Sequence, residues 1–250
     1  TGLCHEIKSM DRQLPILMET DISNIDFEAG GLNHFSILLH AKYKDSGKDG
    51  YPIIKQKFNE YYSDLVNDHE GFYSKPGAER GVFFELYKQY GYLPITTDSH
   101  LGEYLAWAYS VADHDGILDF YDNYKKRCLT YYDSNSFHQF FDMNDPEPHE
   151  RVIPIIENIV TDANALEHAV NITNDGFIEC LPKDIVVEVP AIINKSGIHG
   201  KKLDNYPKAF GTLLNSQVGA IQMTTEAVLS KSKQNAFYAL LADPIVDNAK

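Results

Sequence analysis

Apolar residues recur along this chain in two rhythms, one helical and one extended. Val82, Phe83, Leu86, Tyr87 and Tyr90 fall at helical spacing, so 78–90 is predicted to be a helix, entered after the Pro76-Gly77 break. Gly91 stops it and Pro94 keeps it stopped. Mixed apolar spacing over 53–65 predicts another helix, and 115–132 a third whose many charges mark a solvated face. The stretch 101–111 reads as a helix preceded by Asp98 and Ser99, both good N-cap types. Glu147-Pro148-His149-Glu150 opens a helix that runs to 159. The segment 208–230 reads as one long helix, 235–242 as a short one, and 1–9 as the start of one.

The extended segments alternate with these. The stretch 28–41 reads as a glycine-rich bend followed by a buried strand, and 45–50 as a polar hairpin tip. Asn174-Asp175-Gly176 lies between the apolar runs 169–172 and 177–181, a strong hairpin signal. The run 185–193 is β-branched and apolar, with Glu188 embedded in it. Asp, Asn and Pro crowd 133–148, which reads as loop. The expected fold class is therefore α+β, helix-rich, with an antiparallel sheet. A Gly-x-Gly-x-x-Gly word after a strand and a βαβ unit are both missing from these 250 residues.

Composition narrows the partners. A net charge of −14 argues against nucleic acid and anionic membranes. The four arginines, Arg12, Arg80, Arg127 and Arg151, offer few planar forks for a phosphate or carboxylate. Sixteen Tyr and thirteen Phe supply faces suited to sugar rings, and equally to filling a core. Three cysteines, Cys4, Cys128 and Cys180, are an odd number without framework spacing, so a reducing, cytoplasmic setting is expected.

The chemistry concentrates in two short words, Thr1-Gly2-Leu3-Cys4-His5 and Gly30-Gly31-Leu32-Asn33-His34-Phe35. A thiolate and an imidazole, here Cys4 and His34, form a borderline-soft pair for a first-row divalent ion. Two protein ligands leave coordination positions open for a substrate, as in catalytic rather than closed structural sites. Each residue alone also suits ordinary packing.

Further words follow in order. They are Asp98-Ser99-His100-Leu101-Gly102-Glu103, then Asn174-Asp175-Gly176-Phe177-Ile178-Glu179-Cys180-Leu181-Pro182, then Val187-Glu188-Val189-Pro190, and finally Glu226-Ala227 with Leu240-Leu241-Ala242-Asp243-Pro244. Together with the first two words they resemble the family 4 glycoside hydrolases, the NAD-dependent glycosidases, over nearly the whole chain. Gly-Leu-Cys-His and the Asp-x-His word resemble the α-galactosidase, α-glucuronidase and α-galacturonidase branches more than the 6-phospho-sugar branches. The resemblance implies the C-terminal domain of a lactate/malate dehydrogenase-like architecture over 1–250, with the NAD-binding Rossmann domain lying ahead of Thr1 in the parent protein.

It further implies a redox-assisted elimination. NAD⁺ withdraws hydride from C3 of the sugar, the C2 proton becomes acidic, and a base removes it as the glycosidic oxygen leaves. Mn²⁺ or another divalent ion, held by Cys4 and His34, would stabilise the negative charge. Asn33 and His100 would contact the substrate. Asp98 would be the base, with Tyr90, Tyr92 and Tyr104 as alternatives and an N-cap role as its structural counterpart. His5 stands where some phospho-sugar members carry Asp, and is the candidate acid for the leaving oxygen. A homodimer or homotetramer is implied as well. Two other readings stand beside this one. A 2-hydroxy-acid dehydrogenase domain would pair an Arg with a catalytic His, and an assembly module would bind no metal. Glu103 and Glu188, set among apolar residues, are expected to need partners.

Overall fold

In the computed structural model, residues 6–65, 73–133 and 151–248 are described. Glu6–Ser9 form a 3₁₀ turn that runs into α1, Met10–Met18. Its Met10, Leu14, Leu17 and Met18 are buried, which makes it a core helix despite Pro15. Two antiparallel strands follow, β1 (Ile25–Leu32) and β2 (Phe35–Tyr43). The glycines at 30 and 31 therefore lie within a strand rather than in the expected bend. A Cβ on Gly31 would come 2.7 Å from Ser36 Cα, so the narrowing hairpin end needs a bare backbone there.

The 45–50 segment turns the chain into a helix rather than a second strand, with Lys42 bridged to Asp49. That helix is α2, Tyr51–Glu60, begun with Pro in its first turn and continued by a π-helical turn, Tyr61–Leu65. Helix α3, Gly81–Tyr90, ends at Gly91, whose φ of 74° is the left-handed cap that glycine adopts without strain. Phe58 of α2 stacks on Tyr87 of α3 at 3.7 Å, and the Arg80 guanidinium lies over Phe83 and Tyr62 at 4.6 and 5.1 Å. Tyr62 is fully buried, so its phenol is pushed far above the ordinary tyrosine range, and it donates to Gln13 Oε1.

After the short β3 (Leu93–Pro94), the helix expected over 101–111 shrinks to one turn, α4 (Asp98–Leu101), and a 3₁₀ turn at Ala108–Ser110. Helix α5, His114–Asp133, matches its solvated pattern with Leu118, Tyr121 and Leu129 exposed. The predicted loop over 133–148 and the helix start at 147–150 fall outside the described residues, apart from Asp133 at the end of α5. Helix α6 is seen as Val152–Thr161.

The second half supplies β4 (Ala165–Thr173), β5 (Val186–Asn194) and the unforeseen β6 (Gly197–Gly200). The hairpin at Asn174 is wider than the Asp-Gly signal implies. Strand β4 pairs with β5, and 177–181 is not a strand. Asn174 explains this, because its buried amide donates to the carbonyls of Ile178, Leu181 and Pro182 and accepts from Ile178 N–H. The intervening chain is thereby wound into a compact loop. All strand pairings are antiparallel, in the order β3-β2-β1-β5-β4, with β6 on β5. Strands β1 and β5 are in register only at Gly31 and Glu188.

The expected long helix over 208–230 is two helices, α7 (Lys208–Asn215) and α8 (Val218–Ser230). At the break the ladder tightens, with Ser216 and Gln217 N–H on Leu213 O and Leu214 O, and the side chains of Asn215 and Gln217 donate to Cys180 O and Tyr104 O. Helix α9, Lys233–Ala242, is capped by Ser232, which accepts from Asn235 N–H. The result is a helix-rich α+β fold around one antiparallel sheet.

Candidate functional site

The site is built on the β1–β2 turn. Asn33 and His34 form it, and His34 takes φ 56°, a left-handed conformation uncommon for a residue with a side chain. Two tethers hold the turn. Thr96 Oγ1 donates to His34 O at 3.0 Å, and Tyr104 OH donates to Asn33 O at 2.8 Å. The Tyr104 ring stacks on Phe35 with centroids 4.8 Å apart, and Gln217 of the α7–α8 break secures its carbonyl. His100, on α4, is thereby laid against His34 with ring centroids 4.1 Å apart and a tilt of 33°.

Beside these residues opens a cleft of about 600 Å³, lined by Asn33, Tyr104, Leu32, Ile185, Gln222 and the acidic Asp184 and Glu226. Gln222 Nε2 donates to Asp184 Oδ2 at 3.0 Å across its edge. Neither Lys nor Arg lines it among the described residues.

The sequence-named residues divide three ways. His34, His100 and Asn33 come together. Asp98 lies two residues before His100, but its carboxylate is fully buried and turned into the fold. It accepts from the backbone N–H groups of Gly81, Asp113 and Phe83, at 2.7, 2.9 and 3.1 Å. The carboxylate thus caps the start of a neighbouring helix, α3, and not the helix that follows Asp98 in sequence, where the N-cap role was expected. Cys4 and His5 lie outside the described residues. The described chain resumes at Glu6, and the N–H of the next residue, Ile7, meets Glu188 Oε1 at 3.5 Å, with Glu188 paired with Gly31. Glu188 is thus buried with a partner as expected, while Glu103 is exposed and needs none.

An imidazole suits a first-row divalent ion, and His34 directly follows Asn33, which lines the cleft. Among the described residues no three of His, Cys, Asp and Glu are grouped to hold a metal. His34 therefore fits such an ion only as one member of a set completed from elsewhere in the chain.

Sequence reasoning missed Glu79, Thr96 and Gln217. Glu79 is fully buried and accepts from Ser99, next to His100. Nothing in its Ala-Glu-Arg setting announces this. Thr96 and Gln217 act through contacts distant in sequence, which no local pattern encodes.

Comparison with known proteins places this geometry. Residues 29–246 match the Family 4 glycosyl hydrolase C-terminal domain. The chain is 40% identical to an alpha-glucosidase of Erwinia rhapontici, across 98% of this chain and 57% of that protein. It is 26% identical to an alpha-galactosidase of Bacillus subtilis (strain 168), across 97% of this chain and 55% of that one. The chain thus spans a little over half the length of these curated relatives. In three dimensions it resembles a 6-phospho-alpha-glucosidase from gut microorganisms, solved in complex with NAD and Mn²⁺. The TM-score is 0.72 at 19% identity, covering 99% of this chain and 56% of that one.

Proposed function

The chain belongs to the family 4 glycosyl hydrolases, and from that premise we propose that it forms the metal- and sugar-binding part of an α-glycosidase working by NAD-assisted elimination. The observation that carries this reading is a cleft large enough for a sugar, lined by Asn33 and Tyr104, with Asn33 in the same turn as His34, whose ring lies against His100. When bound, NAD⁺ would supply hydride acceptance at C3, and a divalent ion a Lewis acid for charge developing beside it.

The chain's own residues do the rest. His34 and Cys4 hold the ion. Two residues separate Cys4 from Ile7, and Ile7 is tethered at the strand end that carries the turn, which supports their convergence. Asn33 and His100 orient the sugar hydroxyls. His5 gives a proton to the leaving oxygen.

For the C2 base the geometry favours Tyr104 over Asp98. Tyr104 lines the cleft with its hydroxyl resting on Asn33 O, also a cleft residue, whereas both Asp98 oxygens are occupied by backbone donors away from it. Asp98 then acts by holding the segment in place. The acidic lining, with neither Lys nor Arg among the described residues, supports an uncharged sugar over a phosphorylated or uronic one. The stronger likeness to the Erwinia alpha-glucosidase supports a gluco-configured substrate ahead of galactosides or galacturonides. Exposed Val228, Leu229, Phe237 and Leu240 on α8 and α9 support self-association.

A dehydrogenase reading needs an arginine at the His pair. Arg80 lies over two aromatic rings and donates to Thr96 O, and Arg151 pairs with Glu167, so both are engaged elsewhere than on the imidazoles. The test is turnover of p-nitrophenyl α-glucoside, α-galactoside and α-galacturonide by the full-length protein with NAD⁺ and Mn²⁺. Loss of a C2 deuterium to solvent is expected during hydrolysis. Retention of that label, or no turnover of any of the three, would overturn the reading. Should Asp98→Asn halt C2 exchange while Tyr104→Phe does not, the base would be Asp98.

A further inference from the structure

Helices α3 and α4 are capped by one another. Neither N-cap residue, Arg80 for α3 or Thr97 for α4, makes a side-chain cap of its own. Instead Asp98, at the start of α4, sends its carboxylate to Gly81 and Phe83 N–H in the first turn of α3. In return Glu79, just ahead of α3, accepts at Oε2 from Ser99 N–H at 3.1 Å and Ser99 Oγ at 2.6 Å. The Glu79 carbonyl also accepts from Asp98 N–H at 3.2 Å. Both carboxylates are fully buried, each at the positive end of a helix.

Glu79 itself is held with effort. Its φ is 54°, a conformation disfavoured for any residue with a Cβ, and its N–H is tied to Asp113 Oδ2 at 3.0 Å. Its second oxygen, Oε1, is buried without a hydrogen bond. A burial this one-sided is costly. It leaves the whole grip of the side chain on Ser99, the residue that precedes His100.

We propose that Glu79 is a positioning residue: through Ser99 it sets the orientation of α4's first turn, and so the angle at which the His100 ring meets His34. The consequence for sugar binding rests on the function proposed above; the geometric role does not.

The experiment labels histidine at ¹³Cε1 in the full-length protein and assigns the His34 and His100 signals with His34→Gln and His100→Gln. In the native protein each Cε1 proton is shifted by the ring current of the other. Glu79→Gln, nearly the same shape, is expected to move both signals toward free-histidine positions while the protein stays folded by circular dichroism. Ser99→Ala, which keeps the N–H and loses the hydroxyl, is expected to move them less and in the same direction. Glu85→Gln on α3 should leave them in place. If the substrate reading also holds, Glu79→Gln raises KM for the sugar by up to about a hundredfold. Signals unmoved in both Glu79→Gln and Ser99→Ala would overturn the role of Glu79. Signals moved with KM unchanged would instead strike the substrate contact of His100 and leave Glu79's role standing.

Discussion

His34 and His100 lie ring against ring, 4.1 Å between centroids, although one caps a β-hairpin and the other sits on a single helical turn. In the proposed site their parts differ, and substitution separates them. His34→Ala removes a metal ligand, so Mn²⁺ binding to the full-length protein should disappear in calorimetric titration. His100→Ala leaves the ligand in place and removes its packed neighbour, and a loss of about 10–100-fold in metal affinity is expected. Equal effects of the two would contradict this division.

Asn174 answers for the loop between β4 and β5. Its side chain makes four hydrogen bonds to the backbone of 178–182, three of them buried. Asn174→Ala strands those groups without partners and should cost about 3 kcal/mol, seen as a lower urea midpoint. Asn174→Asp, which keeps the acceptor and removes the donors, should be no milder.

Arg151 and Glu167 form a two-pronged pair at 2.7 and 2.9 Å, with Glu167 only 4% exposed. Arg151→Met preserves the stem but leaves a buried carboxylate with Asn158 as its remaining side-chain donor. Destabilisation of about 3 kcal/mol is expected. Replacing both partners by apolar residues should recover much of it, and a double-mutant cycle measures how much.

His168 makes stability depend on pH. Burial depresses its pKa below 6.5, partly opposed by Asp11 and Glu167 and reinforced by Lys8 and Lys44. The unfolded chain therefore takes up a proton before the folded one. Stability should be fully present above pH 6.5 and fall as the pH drops from there toward the folded-state value. The ring stacks on Phe27 at 4.2 Å and 12°, so His168→Phe preserves the packing. Its urea midpoint should be flatter across that window than the wild type's.

What the sequence revealed depended on how locally each feature is determined. Helix α3 and its stop at Gly91 were readable because Val82, Phe83 and Leu86 bury one face and glycine supplies the left-handed cap. The helix expected over 101–111 was not to be, because Tyr104 is drawn to Asn33 and Gln217, a choice made by distant residues. The same Gln217 contact lies where 208–230 divides. In β1 the glycines imitate a bend because only the approach of Ser36 explains them. At the site, His34 was named by residue type and Asn33 and His100 through the family resemblance, and the fold lays the His100 ring against His34, the neighbour of Asn33. Asp98 was named too, yet its three backbone bonds follow from the fold of α3, invisible in its own word. Glu79 carried no signal, since its importance arises from a left-handed backbone and complete burial.

The turn at Asn33-His34 closes a ladder whose register shifts once, between Glu28 and Ala29. Side chains on a strand alternate between faces, so adding or deleting one residue between that shift and Leu38 would send the imidazole out on the opposite side of the sheet. The stretch 29–38 thus behaves as a fixed-length cassette. Chimeras between relatives must exchange it whole, because a graft that changes its length by one would preserve every residue of the site and still point its key ring the wrong way.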